Sequence, residues 1–161
     1  MTLRCAVLCL EVLLVSVAAC SSGARTSGGL SDQDRAALRS LTTATLLQIV
    51  RAHDWDALTA EYTADGWKLP PNQPAVQGRA AIHQLFEKLP SITSFDWRII
   101  DLDGRADLAF VRGAYSITYA LPGAPGPVSD SGKELVILRK QSDGSWLRLG
   151  DMWSSDLPPH R

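Results

Sequence analysis

The chain has very little cysteine, and all of it lies at one end. Cys5, Cys9 and Cys20 fall within the first twenty residues. Beyond Cys20 neither a disulfide nor a thiolate metal site can form, so stability there must come from packing. Histidine is equally scarce. His53, His83 and His160 stand at a helix end, a helix flank and the tail. No two share the i, i+3 or i, i+4 spacing of a helical zinc site, and neither metal nor cofactor is expected. No serine sits on a glycine-flanked elbow, which excludes a Ser-His-Asp nucleophile of that kind. Charge is balanced, with 16 basic and 17 acidic residues and a net charge of −1. There is no basic stripe, so nucleic acid has no electrostatic footprint and is not an expected partner.

What is present begins with an apolar leader, MTLRCAVLCLEVLLVSVAAC. Arg4 supplies a short positive region, an apolar run follows, and small residues precede Cys20. Residues 1–19 read as an export signal, too short for an ordinary transmembrane helix. Val17-Ala18-Ala19-Cys20 resembles a bacterial lipobox, in which the cysteine carries the lipid. Glu11 inside the apolar run departs from that pattern, and plain secretion to the periplasm or medium is the alternative. The expectation is a lipoprotein of the bacterial cell envelope, held at the membrane by lipidated Cys20. Residues 20–30 are a Ser/Gly-rich tether, and residues 31–161 form one domain.

Within that domain Ser31 can cap a helix, with Asp32 and Asp34 at its positive start. Leu38, Leu41, Leu46, Ile49 and Val50 form one helical stripe. Asp54 can cap a second helix through Trp55, Leu58 and Tyr62. Gly66 to Leu69 reads as a short strand. Gly78 precedes a third helix carrying Ile82, Leu85, Phe86 and Leu89, which Pro90 stops. Four strands follow: Ser94–Leu102, turned at Asp103-Gly104; Asp107–Ala120, followed by a Pro/Gly loop; and Glu134–Lys140 with Ser145–Ser154, joined at Ser142-Asp143-Gly144. Helices followed by an antiparallel sheet predict an α+β layout, in which a curved sheet wrapping helices leaves a pocket.

Four segments, in this order, resemble one superfamily. They are Asp54-Trp55-Asp56-Ala57-Leu58 with Glu61 to Asp65; Leu69 to Ile82; Ala109 to Tyr115; and the final hairpin with Asp151-Met152-Trp153. The set is similar to the NTF2-like cone domains, in particular the SnoaL-like branch with the DUF4440-type domain. That resemblance implies about three N-terminal helices packed in a curved antiparallel sheet of four or more strands, and often a homodimer through the outer face of the sheet. It implies no single activity, because such cones include isomerases, cyclases, hydrolases and binding modules.

The chemistry of those relatives fits poorly. The base position of isomerase-like cones falls near Leu69 or Pro70, neither of which takes a proton. The first helix offers Thr42, Thr43, Thr45 and Gln48 where a tyrosine donor is needed. An epoxide-hydrolase arrangement would have to come from Asp101, Arg112 and Asp151, or from Arg105-Ala106-Asp107 beside a turn. What remains is an aromatic set with a few polar groups. Tyr62, Trp67, Trp97, Arg112, Tyr115, Tyr119, Asp151 and Trp153 are the candidate pocket residues. Strand alternation pairs Tyr115 with Ile117 and Tyr119 on one face and Arg112 with Phe110 on the other. It groups Asp151 with Leu149 and Trp153, and Trp146 with Arg148 and Met152. Asp151, a mid-strand carboxylate between apolar neighbours, needs a partner such as Arg112 or a tyrosine hydroxyl; it is also the weak candidate for a base. The expected function is binding of a small apolar or aromatic molecule in the cone, with catalysis not expected. The alternatives are a SnoaL-like acid–base enzyme acting on a polyketide- or steroid-like ring, and a dimerising interaction module of the envelope.

Overall fold

The structure is a computed structural model that describes residues 28–158. The expected export signal, Cys20 and most of the expected tether lie outside the described residues. Helix α1, Asp32–Ser40, starts at Ser31, whose Oγ accepts from the backbone N–H of Asp34 at 3.1 Å. It runs through a π turn, Leu41–Thr45, into α2, Leu46–Ala52. The buried stripe explains the π turn. Leu38, Thr42, Leu46 and Val50 are all buried and recur every four residues. Each such step overshoots a 3.6-residue turn by about 40°, and the wider turn absorbs part of the drift. His53, left-handed at φ 55°, ends the helix. Asp54 caps the short α3, Trp55–Ala60, by accepting from the Ala57 N–H at 2.9 Å.

Strand β1, Tyr62–Leu69, begins four residues earlier than Gly66, so Tyr62 is a strand residue and does not end a helix. The two-residue β2, Val76–Gln77, leads through Gly78 into α4, Arg79–Glu87. Four long strands follow: β3, Ser91–Arg105; β4, Leu108–Ala120; β5, Val128–Lys140; and β6, Trp146–Ser155. The sheet order is β2-β1-β6-β5-β4-β3. Every pairing is antiparallel except β1 with β6, which are parallel. That parallel pair brings the start of the domain against its end. Register shifts at Ile92/Ser94 and Ile99/Asp101 in β3, and at Leu149 in β6 opposite Ile137/Leu138, bend the sheet around the helices.

The β3–β4 turn is not at Asp103-Gly104. The strand continues to Arg105, and Ala106 takes the positive φ of 49°. Gly104 serves a close approach instead, because a Cβ there would lie 2.5 Å from the Leu108 carbonyl oxygen. The core is the concave face of the sheet with the helices across it: Leu38, Leu46, Val50 and Ile82 meet Val111, Val136 and Leu138. Leu30, read as tether, is buried in that core, and Gly29 bridges to Arg105.

Candidate functional site

Helices α2, α3 and α4 do not close completely on the sheet. They leave a cavity of about 460 Å³. Leu46, Val50, Leu58, Leu85, Phe86 and Leu89 form its helical side, and Ile92, Phe95, Ile117 and Tyr119 its far strands. Almost everything on those walls is apolar. The polar groups gather on β1, β5 and β6.

The centre of that polar wall is Asp151, which is fully buried. Lys68 Nζ donates to its Oδ1 at 2.6 Å, and the Tyr62 hydroxyl donates to its Oδ2 in a short hydrogen bond. Lys68 Nζ also lies 3.2 Å from the Tyr62 oxygen and sits 4.6 Å above the Trp153 ring. Burial pushes the Tyr62 phenol well above its ordinary pKa, and the adjacent Asp151 carboxylate adds to this. Tyr62 therefore stays a proton donor. The three residues meet because β1 pairs with β6, placing Lys68 opposite Asp151.

There is a second buried pair. Arg148 Nε donates to Glu61 Oε2 at 3.2 Å. Both side chains are buried, and Arg148 Nη2 and Glu61 Oε1 have no hydrogen-bond partner among the described residues. Burial opposes the charge of Arg148, but Glu61, Tyr62, Glu134 and Asp151 outweigh it and raise its pKa. Burial raises the pKa of Glu61, partly offset by Arg148. Glu134, half-buried on β5, completes the wall. Burial and then the Asp151 charge raise its pKa, against the pull of Lys68 and Arg148.

Of the eight residues nominated from the sequence, Tyr62, Tyr115, Tyr119, Asp151 and Trp153 line the cavity. Three do not. Arg112 is exposed on the outer face of β4, because Ala109, Val111, Gly113 and Tyr115 take the inward positions. Trp67 is on the outer face of β1, opposite in phase to Lys68, with its ring over Gly150. Trp97 is buried in the core beside the cavity, with its indole over Gly113. Both glycines are demanded by these rings, since a Cβ at either would lie 2.2 Å from the indole. Asp101 pairs with Arg112 on the outer face, far in the sheet from Asp151, so the hydrolase-like trio is not assembled. The Asp151 partners are a tyrosine hydroxyl and Lys68, and Arg112 is not among them.

Sequence reasoning missed Lys68, Glu134, Arg148 and Glu61. One signal was available: Glu134 shares strand phase with Val136 and Leu138, both completely buried. Arg148 was hidden by a bulge. Gly150 pairs with Ile137 while Arg148 pairs with Leu138, leaving Leu149 as the extra residue. Arg148 and Asp151 therefore both line the cavity, three positions apart. The expected grouping of Asp151 with Leu149 fails for the same reason.

The model of the SnoaL-like domain matches residues 31–149. The chain belongs to the SnoaL-like family. Its cone is similar to a ketosteroid isomerase-like protein from Erwinia carotovora atroseptica, with 24% identity, a TM-score of 0.71, and coverage of 80% of this chain and 100% of that one. It is also similar to an NTF2-like protein with a cystatin-like fold from Novosphingobium aromaticivorans, at 18% identity and TM-score 0.58, covering 77% and 82%. ActVI-ORFA from Streptomyces coelicolor is similar at 17% identity and TM-score 0.54, covering 70% and 90%. At these identities the likeness is one of fold. No curated protein matched the chain.

Proposed function

We propose that this SnoaL-like domain binds a small, largely apolar molecule inside its cone. The observation that carries the reading is the cavity itself. Its volume of about 460 Å³ suits a ligand of one to three rings, its walls are hydrocarbon, and its polar groups converge on one side. The Asp151–Lys68 pair supports binding over catalysis, because a carboxylate engaged by both an ammonium and a phenol is a poor base. Acid–base chemistry on a bound ring is a second reading, favoured by the raised pKa of Glu134. Native mass spectrometry of the purified protein tests the first reading. A co-purified species of a few hundred daltons, lost when Ile117 or Leu58 is replaced by Trp to fill the cavity, is the expected result. A cavity that stays empty and takes up no apolar compound rejects it.

We further propose that the domain is exported and lipid-anchored at Cys20. The support is the sequence Val17-Ala18-Ala19-Cys20 after an apolar leader. Cys20→Ala should move the protein from the membrane fraction to the soluble one. An intact mass with no acyl chains on the wild-type protein refutes the anchor.

A further inference from the structure

The charges on the cavity wall do not cancel. Lys68 is matched by Asp151, and Arg148 by Glu61. Glu134 is left over. It lines the same cavity, yet among the described residues no lysine, arginine or histidine lies within ion-pair distance of it. Two inward positions further along β5 stands Asp130, which also lines the cavity. Its oxygens are met by neutral donors, the Tyr115 hydroxyl at 2.9 Å and the Ser155 hydroxyl at 2.5 Å. The helices present only apolar and aromatic groups to the space. The uncompensated charge of the cavity is therefore negative, and it lies along one strand. The rings of Trp55, Phe86, Tyr119 and Trp153 line the same space, Trp153 as the cross-strand neighbour of Glu134, and the faces of such rings attract cations, as those of Trp153 and Phe86 already do for Lys68.

We propose that the ligand is an apolar amine, its protonated nitrogen seated on the Glu134 carboxylate and its hydrocarbon part among the aromatic rings. This rests on the ligand-binding reading above and narrows it. A half-buried carboxylate facing the cavity without a counter-charge is costly, and an ammonium supplies the counter-charge the fold omits. A fatty or aromatic carboxylate would instead bring a third negative charge beside Glu134 and Asp130. Arg148 Nη2, buried and without a partner, does not reverse this preference. The charge of Arg148 is already matched by Glu61, so Nη2 needs only an acceptor, which a neutral oxygen or a water provides.

The groups facing Glu134 are Lys68 and Tyr62 from β1, the Trp97 indole N–H from β3, Tyr115 from β4, Asp130 from its own strand, and Arg148 and Asp151 from β6. Burial holds the carboxyl of Glu134 above its ordinary pKa, so lowering the pH neutralises it and should release an amine. The test uses three probes with one hydrocarbon skeleton: naphthylethylamine, naphthylethanol and naphthylacetate. Each is titrated calorimetrically into the purified protein between about pH 5 and pH 8. The amine should bind roughly tenfold more tightly than the alcohol at the upper pH, and the carboxylate most weakly. Amine affinity should fall towards the lower pH while alcohol affinity stays level. Glu134→Gln should bring the amine to within about twofold of the alcohol. Should that variant not fold, Asp130→Asn and the wild-type pH profile carry the test, since a flat amine profile overturns the proposal. Alcohol or carboxylate binding as tight as the amine in the wild-type protein also overturns it, while leaving the ligand-binding reading intact. If none of the three binds and the purified cavity is empty, the ligand-binding reading itself fails and this inference with it.

Discussion

Asp151 is held from two sides by groups that are themselves buried, so removing its charge affects more than one bond. Asp151→Asn would keep the shape but leave the Lys68 ammonium facing Trp153 and Phe86 with no counter-ion. Breaking one side of a buried pair costs about 3–5 kcal/mol. Urea denaturation should show a loss of that size, and the double change Lys68→Met with Asp151→Leu should recover much of it. A loss below about 1 kcal/mol would mean that the pair is solvated and not structural. Gly113 gives a second residue-scale test. A Cβ at either Gly113 or Gly150 meets an indole at 2.2 Å, but Trp97 is buried whereas Trp67 is half-exposed and can swing outward. Gly113→Ala should therefore cost about 2–3 kcal/mol, at the upper end for overpacking, and Gly150→Ala clearly less. Equal losses in thermal or urea melts would contradict this. The need of Asp151 for a partner was legible from its apolar neighbours alone. The partner was not, because Lys68 precedes it by 83 positions and meets it only through the β1–β6 pairing, which no local pattern announces.

Elements with local chemistry were legible, and those fixed by long-range pairing were not. The Ser31 cap, the Asp54 cap and the Asp143-Gly144 turn, with Gly144 at φ 86°, all follow from side chains that satisfy nearby backbone. The first half of β5, Val128 to Lys133, carries mostly polar side chains and gave no apolar signal; it is a strand because β4 pairs with all six of its residues, Ala114 to Tyr119. The start of β1 at Tyr62 is likewise set by its partner β6. Asp34 shows a local motif turned to a distant use. Beyond marking the start of α1, its Oδ1 accepts from the Trp146 indole N–H at 2.9 Å and pairs with Lys140 at 2.7 Å, tying the helix to the β5–β6 hairpin. The hydrogen bond from Lys140, then those from Trp146 and Ser31, lower its pKa from 3.8 to about 2. The folded pKa lies below the unfolded one, so the carboxylate stabilises the protein above about pH 4 and loses that effect as pH falls toward 2. Asp34→Asn should cost about 1 kcal/mol near neutral pH, a figure reduced for partial solvent screening, and much less near pH 2. Melting curves of the two proteins that stay apart at low pH would show that the hook is not electrostatic.

At the scale of the molecule the outer face of the sheet is the unfinished surface. Leu69 on β1 pairs with Met152 on β6, Met152 with Leu135 on β5, and Leu135 with Arg112 on β4. Leu69, Leu135 and Met152 are 36%, 36% and 46% exposed, a contiguous apolar row across three strands. Arg112 and its β3 neighbour Asp101 end the row with opposite charges. A face of this kind suits a second copy of itself. Two-fold packing lays one apolar row on the other and lets each Arg112 approach the Asp101 of its mate. It also gives Arg112 a use that its outward position otherwise lacks. The expectation is a homodimer through this face, formed with the cavities unobstructed because they open on the opposite side of the sheet. Met152→Lys places a charge at the middle of the row and should convert the dimer to a monomer, with the helical signal and the melting of the monomer unit retained. Light scattering of both proteins at tens of micromolar, on the order of typical dimer affinities, checks this. A wild-type protein that is already monomeric there, or a Met152→Lys variant that still runs as a dimer, would remove the outer face from consideration as the interface.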